Sequence, residues 1–131
     1  MSKRILVVDD SPSWIRHHST ILNTLYGSKL EIETAISAME ANDKLYANTD
    51  MPYDIILTDM QMESNFLPKL AGEWLIEQIQ MMKEYYKTHI VIISATASIK
   101  FIAEKYNVDY IPKYNCRDIA NYKNMLDIFI K

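Results

Sequence analysis

The segment Ile5-Leu6-Val7-Val8-Asp9-Asp10 decides the fold, because four apolar residues run without interruption into two aspartates. An apolar run of this kind is typical of a strand buried on both faces, as in the middle of a parallel sheet. Directly after the aspartates, Ser11-Pro12 predicts the start of a helix, with the serine as its cap and the proline in its first turn. The segment therefore predicts a buried strand, an acidic loop and a helix in that order.

The rest of the chain repeats this order of strand and helix. The further predicted strands are Leu30–Ala35, Tyr53–Thr58, His89–Ile93 and Val108–Ile111. The predicted helices run from Pro12 to a stop at Gly27 and then over about 38–47, 69–86, 98–107 and 116–130. Alternation at this spacing favours a parallel sheet with helices on both faces and right-handed crossovers. We predict an α/β fold of the doubly wound (βα)5 type, with a five-stranded parallel sheet in strand order 2-1-3-4-5 and a single domain over residues 1–131.

Length, charge and cysteine content exclude several classes of protein. A chain of 131 residues with 49% apolar residues fits one domain with a core of its own. The formal charge of −3 gives no reason to expect a nucleic-acid partner, which would favour a basic excess. The single cysteine, Cys116, cannot form an intramolecular disulfide, and no apolar run approaches the ~18 residues that a membrane span needs. We therefore expect a cytoplasmic protein that binds neither nucleic acid nor a membrane directly.

Polar residues follow the predicted strands at the edge of the sheet where ligand sites form in such folds. Asp9 and Asp10 follow the first strand, Asp59 the third and Ser94 the fourth, and Lys113 lies just beyond the fifth. Three carboxylates a few ångströms apart repel each other by about 1–4 kcal/mol per pair, and oxygen ligands of this kind suit Mg²⁺. Three carboxylates, Mg²⁺ and one ammonium form a neutral cluster that can accept a phosphoryl group.

Four motifs make this pattern specific. They are Val7-Val8-Asp9-Asp10, Leu57-Thr58-Asp59-Met60-Gln61-Met62, Ile93-Ser94-Ala95 and Tyr110-Ile111-Pro112-Lys113. Each is common by itself, but their order, with each at the end of its own strand, is highly specific. In this pattern the chain resembles the receiver domains of two-component response regulators over nearly its whole length. The resemblance implies the flavodoxin-like, CheY-like version of the predicted fold.

The resemblance also implies a phosphorylation site with its metal. Asp59 would be the phosphoacceptor and a metal ligand, Asp10 would bind Mg²⁺ directly, and Asp9 would help through water. The backbone carbonyl of Gln61 would add a further ligand to the Mg²⁺. A carboxylate that attacks phosphorus forms an acyl phosphate, which can drive a conformational change.

Further roles follow from the same resemblance. Ser94 and Lys113 would hold phosphoryl oxygens, and Ser94 with Tyr110 would form the switch that responds to phosphorylation. Trp14, in the first turn of the first helix, has two interpretations, packing under a loop or docking a partner. His18 follows the apolar period of the same helix, which favours a buried structural role.

The chain departs from the family pattern in two places. Tyr114 follows Lys113 where family members commonly have proline, which changes the expected geometry of that loop. Gly72 lies 13 residues after Asp59, further than the corresponding glycine of the family. Glu63–Ala71 therefore looks like a short insertion beside the phosphorylation site.

The leading hypothesis is a receiver that a histidine kinase or a phosphotransfer protein phosphorylates on Asp59. It would not be an enzyme in the ordinary sense, although it would assist its own phosphorylation and dephosphorylation, and it would signal to an unknown downstream protein. One alternative is a flavodoxin-like binder of a small molecule, although Asp9-Asp10 would repel the phosphate of a flavin nucleotide. The other is a Mg²⁺-dependent phosphatase of the aspartyl-phosphate type, which would place an Asp-x-Asp pair after the first strand.

Overall fold

The computed structural model describes residues 2–62 and 70–130, in which five parallel strands form one sheet. The strands are β1 (Lys3–Val8), β2 (Leu30–Ala35), β3 (Ile55–Asp59), β4 (His89–Ser94) and β5 (Asp109–Pro112). The α-helices of the described residues are α1 (Pro12–Tyr26), α2 (Ala38–Ala47), α3 (Ala71–Met81), α4 (Ile99–Tyr106) and α5 (Ile119–Ile130). Short 3-10 helices cover Gly27–Lys29, Lys83–Tyr85 and Lys113–Arg117. The sheet order is β2-β1-β3-β4-β5, which confirms the predicted (βα)5 topology.

The start of α1 forms as its sequence predicts. The side chain of Ser11 accepts a hydrogen bond from the backbone N–H of Trp14 at 3.4 Å, and Pro12 stands in the first turn. A serine in this position satisfies one of the backbone donors that a helix leaves without a partner at its start. Ser37 caps α2 in the same way, because it accepts from the backbone N–H of Glu40 at 3.0 Å.

The apolar run of β1 is buried on both faces of the sheet. Leu6 and Val8 pack in the cluster beneath α2, α3 and α4, whereas Ile5 and Val7 pack in the cluster beneath α1 and α5. All four side chains are at most 1% exposed. Burial of each stabilises the fold by about 1.5–3 kcal/mol, so a helix layer on each side explains why this strand has no polar face.

The predicted helix over 69–86 is wrong beyond Met81, where α3 ends. Met82 has an extended backbone, with φ −93° and ψ 113°, and a 3-10 turn follows. The break turns Tyr85 into the core, where its hydroxyl donates to the carbonyl of Leu45 at 2.8 Å. Tyr85 is 3% exposed, so its burial and its hydrogen bond compensate for the interruption of the helix.

The last helix also begins later than the predicted 116–130. Asp118 is extended, with φ −98° and ψ 115°, and its carboxylate accepts from the backbone N–H of Ala120 at 2.9 Å. It therefore caps α5, which starts at Ile119, and the preceding residues form the 3-10 helix instead.

His18 is buried, as its spacing predicts. It is 1% exposed, and its Nδ1 lies 2.7 Å from the hydroxyl oxygen of Tyr122 on α5.

Within residues 2–62 and 70–130, no helix is long and apolar enough to cross a membrane.

Candidate functional site

The register of the sheet brings the polar strand ends together. Val8 pairs with Thr58, so Asp9 and Asp59 lie side by side at the ends of β1 and β3. On the other side of β3, Asp59 pairs with Ile93, so that Ser94 ends the adjacent strand one residue further on. Ser94 in turn pairs with Pro112, which is followed by Lys113. Parallel strands in this register place the predicted site residues along one edge of the sheet.

Three carboxylates form the centre of this site. Asp9, Asp10 and Asp59 each offer one oxygen, and these oxygens all lie within 4.8 Å of one another. Asp9 and Asp59 are buried, at 1% and 7% exposed, whereas Asp10 is exposed. The cluster therefore combines two carboxylates held by the fold with one that faces solvent.

Lys113 provides the positive charge of the site. Its Nζ lies 3.3 Å from Oδ2 of Asp9 and 3.4 Å from Oδ2 of Asp59. Its side chain is only 16% exposed, so these ion pairs are shielded from salt more than surface pairs are. Among the described residues, one ammonium facing three carboxylates leaves the cluster with an excess of negative charge.

Asp9 has one oxygen whose hydrogen-bonding capacity no described residue uses. Its Oδ1 accepts from the backbone N–H of Ser11 at 2.9 Å. Its Oδ2 is buried and accepts no hydrogen bond from any described residue, although the Lys113 ammonium is within ion-pair distance. A buried acceptor in this state costs about 1–3 kcal/mol. This oxygen and the all-oxygen donor set fit a hard divalent cation such as Mg²⁺.

The electrostatics of the site raise the pKa of Asp59 to about 6. Burial is the main cause, and the negative charge of Asp9 adds to it. Lys113 and the backbone N–H of Met60, which donates to Asp59 Oδ1 at 2.9 Å, oppose the rise. Because burial and like charge outweigh these partners, added positive charge at the cluster would favour the ionised carboxylate.

Ser94 lies at the end of β4 and is 3% exposed. Its hydroxyl oxygen accepts from the backbone N–H of Thr96 at 3.1 Å, which leaves its own O–H able to donate. Tyr110, on β5, is partly buried and packs against the cluster beneath α2, α3 and α4. Gln61 is exposed and follows β3 by two residues. The switch role of Ser94 and Tyr110 and the ligand role of the Gln61 carbonyl stay predictions.

Trp14 lies against the segment that carries Lys113. Its ring centroid is 4.7 Å from Nζ of Lys113 and 5.4 Å from Cζ of Arg117. The ring also packs against the core beneath α1 and α5. This geometry agrees with the packing interpretation of Trp14, and its docking role stays a prediction.

Gly72 is a site residue whose role the sequence did not indicate. A Cβ atom at this position would lie 2.5 Å from the carbonyl oxygen of Asp59 and 2.7 Å from Cα of Met60. The Gly72 backbone N–H also donates to the carbonyl of Met60 at 2.9 Å. The start of α3 therefore packs directly against the backbone that follows Asp59. The rarity of glycine, with two in the whole chain, is the signal that could have indicated this contact.

The predicted insertion Glu63–Ala71 lies mostly outside the described residues, which resume at Leu70. Leu70 precedes the first residue of α3, and Ala71 begins the helix. The contact of Gly72 with Met60 brings the chain back to the site directly after the insertion.

Comparison with known proteins identifies the class. The sequence profile of the response regulator receiver domain matches residues 5–118. The chain therefore belongs to the response regulator receiver family, as the four motifs predict. A search of curated protein sequences gave no significant match.

Solved structures agree with this fold. The chain is similar to the chemotaxis response regulator CheY4 of Vibrio cholerae, with 21% identity, a TM-score of 0.79 and coverage of 98% of this chain and 99% of that chain. It is also similar to the phosphorylated cyanobacterial phytochrome response regulator RcpA, with 24% identity, a TM-score of 0.80 and coverage of 100% and 96%. For the response regulator domain of Thermotoga maritima CheB, the identity is 21%, the TM-score 0.72 and the coverage 98% and 94%.

Membership of this family indicates the general activity of the chain. Receiver domains are signalling domains of two-component systems and not enzymes of the ordinary kind. They bind Mg²⁺ at an acidic pocket and take phosphoryl groups from histidine kinases or phosphotransfer proteins. The carboxylate cluster of Asp9, Asp10 and Asp59 has the composition of such a pocket.

Proposed function

We propose that Asp59 is the phosphoacceptor of this receiver and that its phosphorylation depends on Mg²⁺. The donor is a histidine kinase or a histidine phosphotransfer protein. The observation that carries the proposal is the position of Lys113, whose ammonium faces Oδ2 of both Asp9 and Asp59 within a cluster of three carboxylates. A carboxylate beside fixed positive charge suits a nucleophile for a phosphoryl group.

The reaction is a transfer between two nucleophiles. A carboxylate oxygen of Asp59 forms a bond to phosphorus as the bond from phosphorus to the donor histidine nitrogen breaks, and that nitrogen keeps the electron pair. Mg²⁺, when bound, neutralises negative charge on the phosphoryl oxygens and the carboxylates. Lys113 pairs with a phosphoryl oxygen, and Ser94 donates its O–H to another.

The carboxylates hold the metal in different ways under this proposal. Asp10, which is exposed, would ligate Mg²⁺ directly, together with Asp59 and the backbone carbonyl of Gln61. Asp9 would act through a water molecule, for which its Oδ2, which accepts no hydrogen bond from the described residues, is an available acceptor. Mg²⁺ commonly keeps several waters, which suits a site where one carboxylate, that of Asp10, is exposed.

The output of the proposed phosphorylation is a conformational change. Ser94 moves toward the phosphoryl group, and the side chain of Tyr110 on the neighbouring strand responds, so that a downstream protein recognises the altered face. Support comes from the register, in which Tyr110 pairs with Ile92 of the strand that Ser94 ends. A single receiver domain over residues 1–131 and a cytoplasmic location stay predictions.

The proposed function is tested by intact mass after incubation with acetyl phosphate and Mg²⁺. We expect the wild-type protein to gain one phosphoryl group with Mg²⁺ and none with a chelator. Asp59→Asn should gain none, because the amide has no negatively charged oxygen that can act as the nucleophile. Asp43→Asn, which changes an exposed aspartate on α2, is the matched control and should be labelled as the wild type is.

Two results would overturn the proposal. One is labelling of Asp59→Asn to the level of the wild type. The other is a wild-type protein that gains no phosphoryl group from acetyl phosphate or from phosphoramidate in the presence of Mg²⁺.

A further inference from the structure

The 3-10 helix Lys113–Arg117 is attached to α1 by several of its residues. Trp14 on α1 contacts the cationic groups of both Lys113 and Arg117. His17, one turn further along α1, donates from Nε2 to the carbonyl of Cys116 at 2.6 Å. Three of the five residues of this short helix therefore contact one face of α1.

The indole ring and the two buried carboxylates share the ammonium of Lys113. Nζ lies 4.7 Å from the ring centroid of Trp14, within the range of a cation–π interaction. The same atom lies 3.3 Å from Asp9 and 3.4 Å from Asp59. The ring is thus in contact with the ammonium while the ammonium faces the phosphoacceptor, so the ring holds it at the site and not away from it.

A lysine needs such a constraint because its side chain is long and flexible. Its four-carbon stem has many rotamers, and this rotational freedom must be restricted for the ammonium to stay beside a phosphoryl oxygen. Tyr114 follows Lys113 and leaves the backbone less restricted there than a proline would. Contact with α1 supplies the restriction in this chain.

We propose that Trp14 is a positioning residue for Lys113. Its ring face holds the ammonium at the carboxylate cluster and so increases the affinity of the site for a phosphoryl group. This inference rests on the proposed function, and it assigns Trp14 a role in the site beyond that of a core or docking residue. Trp14 acts only through Lys113 and contributes nothing to the binding of Mg²⁺ itself.

The first experiment compares Trp14→Leu and Trp14→Phe with the wild type. Beryllofluoride, a mimic of the phosphoryl group, is titrated calorimetrically into each protein in excess Mg²⁺. We expect the affinity to fall about three- to ten-fold in Trp14→Leu, which has no ring face, and by less in Trp14→Phe, which keeps a weaker one. The affinity for Mg²⁺ alone should not fall, whereas a general loss of structure would lower both affinities.

The second experiment shows whether the effect passes through Lys113. The rate of labelling by acetyl phosphate is measured for Trp14→Leu, for Lys113→Met and for the double variant. The slowing caused by Trp14→Leu should disappear in the Lys113→Met background. Arg16→Met, which removes a cation from an exposed position on α1, is the matched control and should not slow the reaction.

The outcomes separate this inference from the proposed function. A wild-type protein that does not bind beryllofluoride in Mg²⁺ would overturn the proposed function and the inference together. A wild type that binds it, beside a Trp14→Leu variant that binds it equally well, would overturn the role of Trp14 alone. Equal slowing by Trp14→Leu with and without Lys113 would also overturn that role.

Discussion

Two clusters of charged side chains lie at opposite ends of β1, and their charges are balanced differently. At the amino end, Arg4 pairs with Glu33 at 2.6 Å and Glu31 at 3.4 Å. Its guanidinium also donates to Asn48 at 3.1 Å and to the carbonyl of Met51, and its Cζ lies 4.7 Å from the centroid of the Tyr53 ring. At the carboxyl end, Lys113 supplies the one ammonium that the described residues place at the three carboxylates, and one buried oxygen there accepts no hydrogen bond from these residues.

This difference in charge balance indicates that the Arg4 cluster is structural and that the carboxylate cluster is a ligand site. The donors of Arg4 meet acceptors in several directions, which is the condition under which a buried charge is tolerated. The carboxylate cluster does not meet that condition, and the raised pKa of Asp59 is the result. A bound cation would neutralise the excess negative charge of the carboxylate cluster. The fold thus has one cluster whose charges are paired, which stabilises it, and one with unpaired negative charge, which suits cation binding.

The largest expected effect is on the balanced cluster. Arg4→Ala should reduce the free energy of unfolding by about 2–3 kcal/mol, because it leaves Glu33 and the Met51 carbonyl without their cationic partner. The expected loss is below that for a fully buried pair, since the side chain of Glu33 is 35% exposed. Urea denaturation measures it, and phosphorylation at the other end of the strand should be unaffected.

Arg16→Ala is the control for Arg4→Ala. It removes the same charge from an exposed position on α1 and should change the stability by less than about 0.5 kcal/mol. Equal losses in the two variants would mean that the Arg4 contacts contribute nothing specific.

The second prediction concerns Asp59, where removal of a charge should stabilise the protein. The folded-state pKa of about 6 lies above the ordinary value of 3.8, so the folded protein binds this proton more tightly than the unfolded chain does. That contribution is fully present below about pH 4 and is lost as the pH rises through 6. In a chelator at pH 7.5, Asp59→Asn should therefore be about 2 kcal/mol more stable than the wild type.

The stability difference between Asp59→Asn and the wild type should also depend on pH. It should disappear below about pH 3, where the wild-type carboxyl is protonated in both the folded and the unfolded state. Asp43→Asn should show no such pH-dependent gain. An Asp59→Asn protein that is less stable than the wild type at pH 7.5 would contradict the view that this cluster is electrostatically strained.

The smallest expected effects are on Mg²⁺ affinity, and they distinguish a direct carboxylate ligand from one that acts through water. Asp10→Ala should weaken Mg²⁺ binding about ten-fold or more, because a direct ligand is lost. Asp9→Ala should weaken it less, since we propose that Asp9 acts through water. Titration with Mg²⁺, followed by the fluorescence of Trp14, measures both affinities. Equal losses in the two variants would contradict the proposed ranking.

The elements that could be predicted from the sequence are those with a local cause. The apolar run Ile5–Val8, the cap at Ser11 and the proline in the first turn are properties of neighbouring residues, and β1 and α1 formed as predicted. The end of α3 at Met81 was not predictable in this way. It depends on a hydrogen bond from Tyr85 to Leu45, a residue 40 positions away.

The sequence by itself determined the order of the elements and the presence of an acidic residue, a serine or a lysine at each relevant strand end. The hydrophobic period and the composition of each segment are sufficient to predict the order of strands and helices. The parallel topology then brings the carboxyl ends of the strands to one edge of the sheet. It also determined the family, since the four motifs keep their order along the chain.

Only the tertiary structure decided the state of these groups. The pKa of Asp59 depends on its burial, on Asp9 and on Lys113, which lie 50 and 54 positions away in the sequence. The contact of Gly72 with Met60 and the contact of Trp14 with Lys113 likewise arise between separate elements. Electrostatic energies and close contacts depend on distances in space, and those distances exist only once the helices have packed on the sheet.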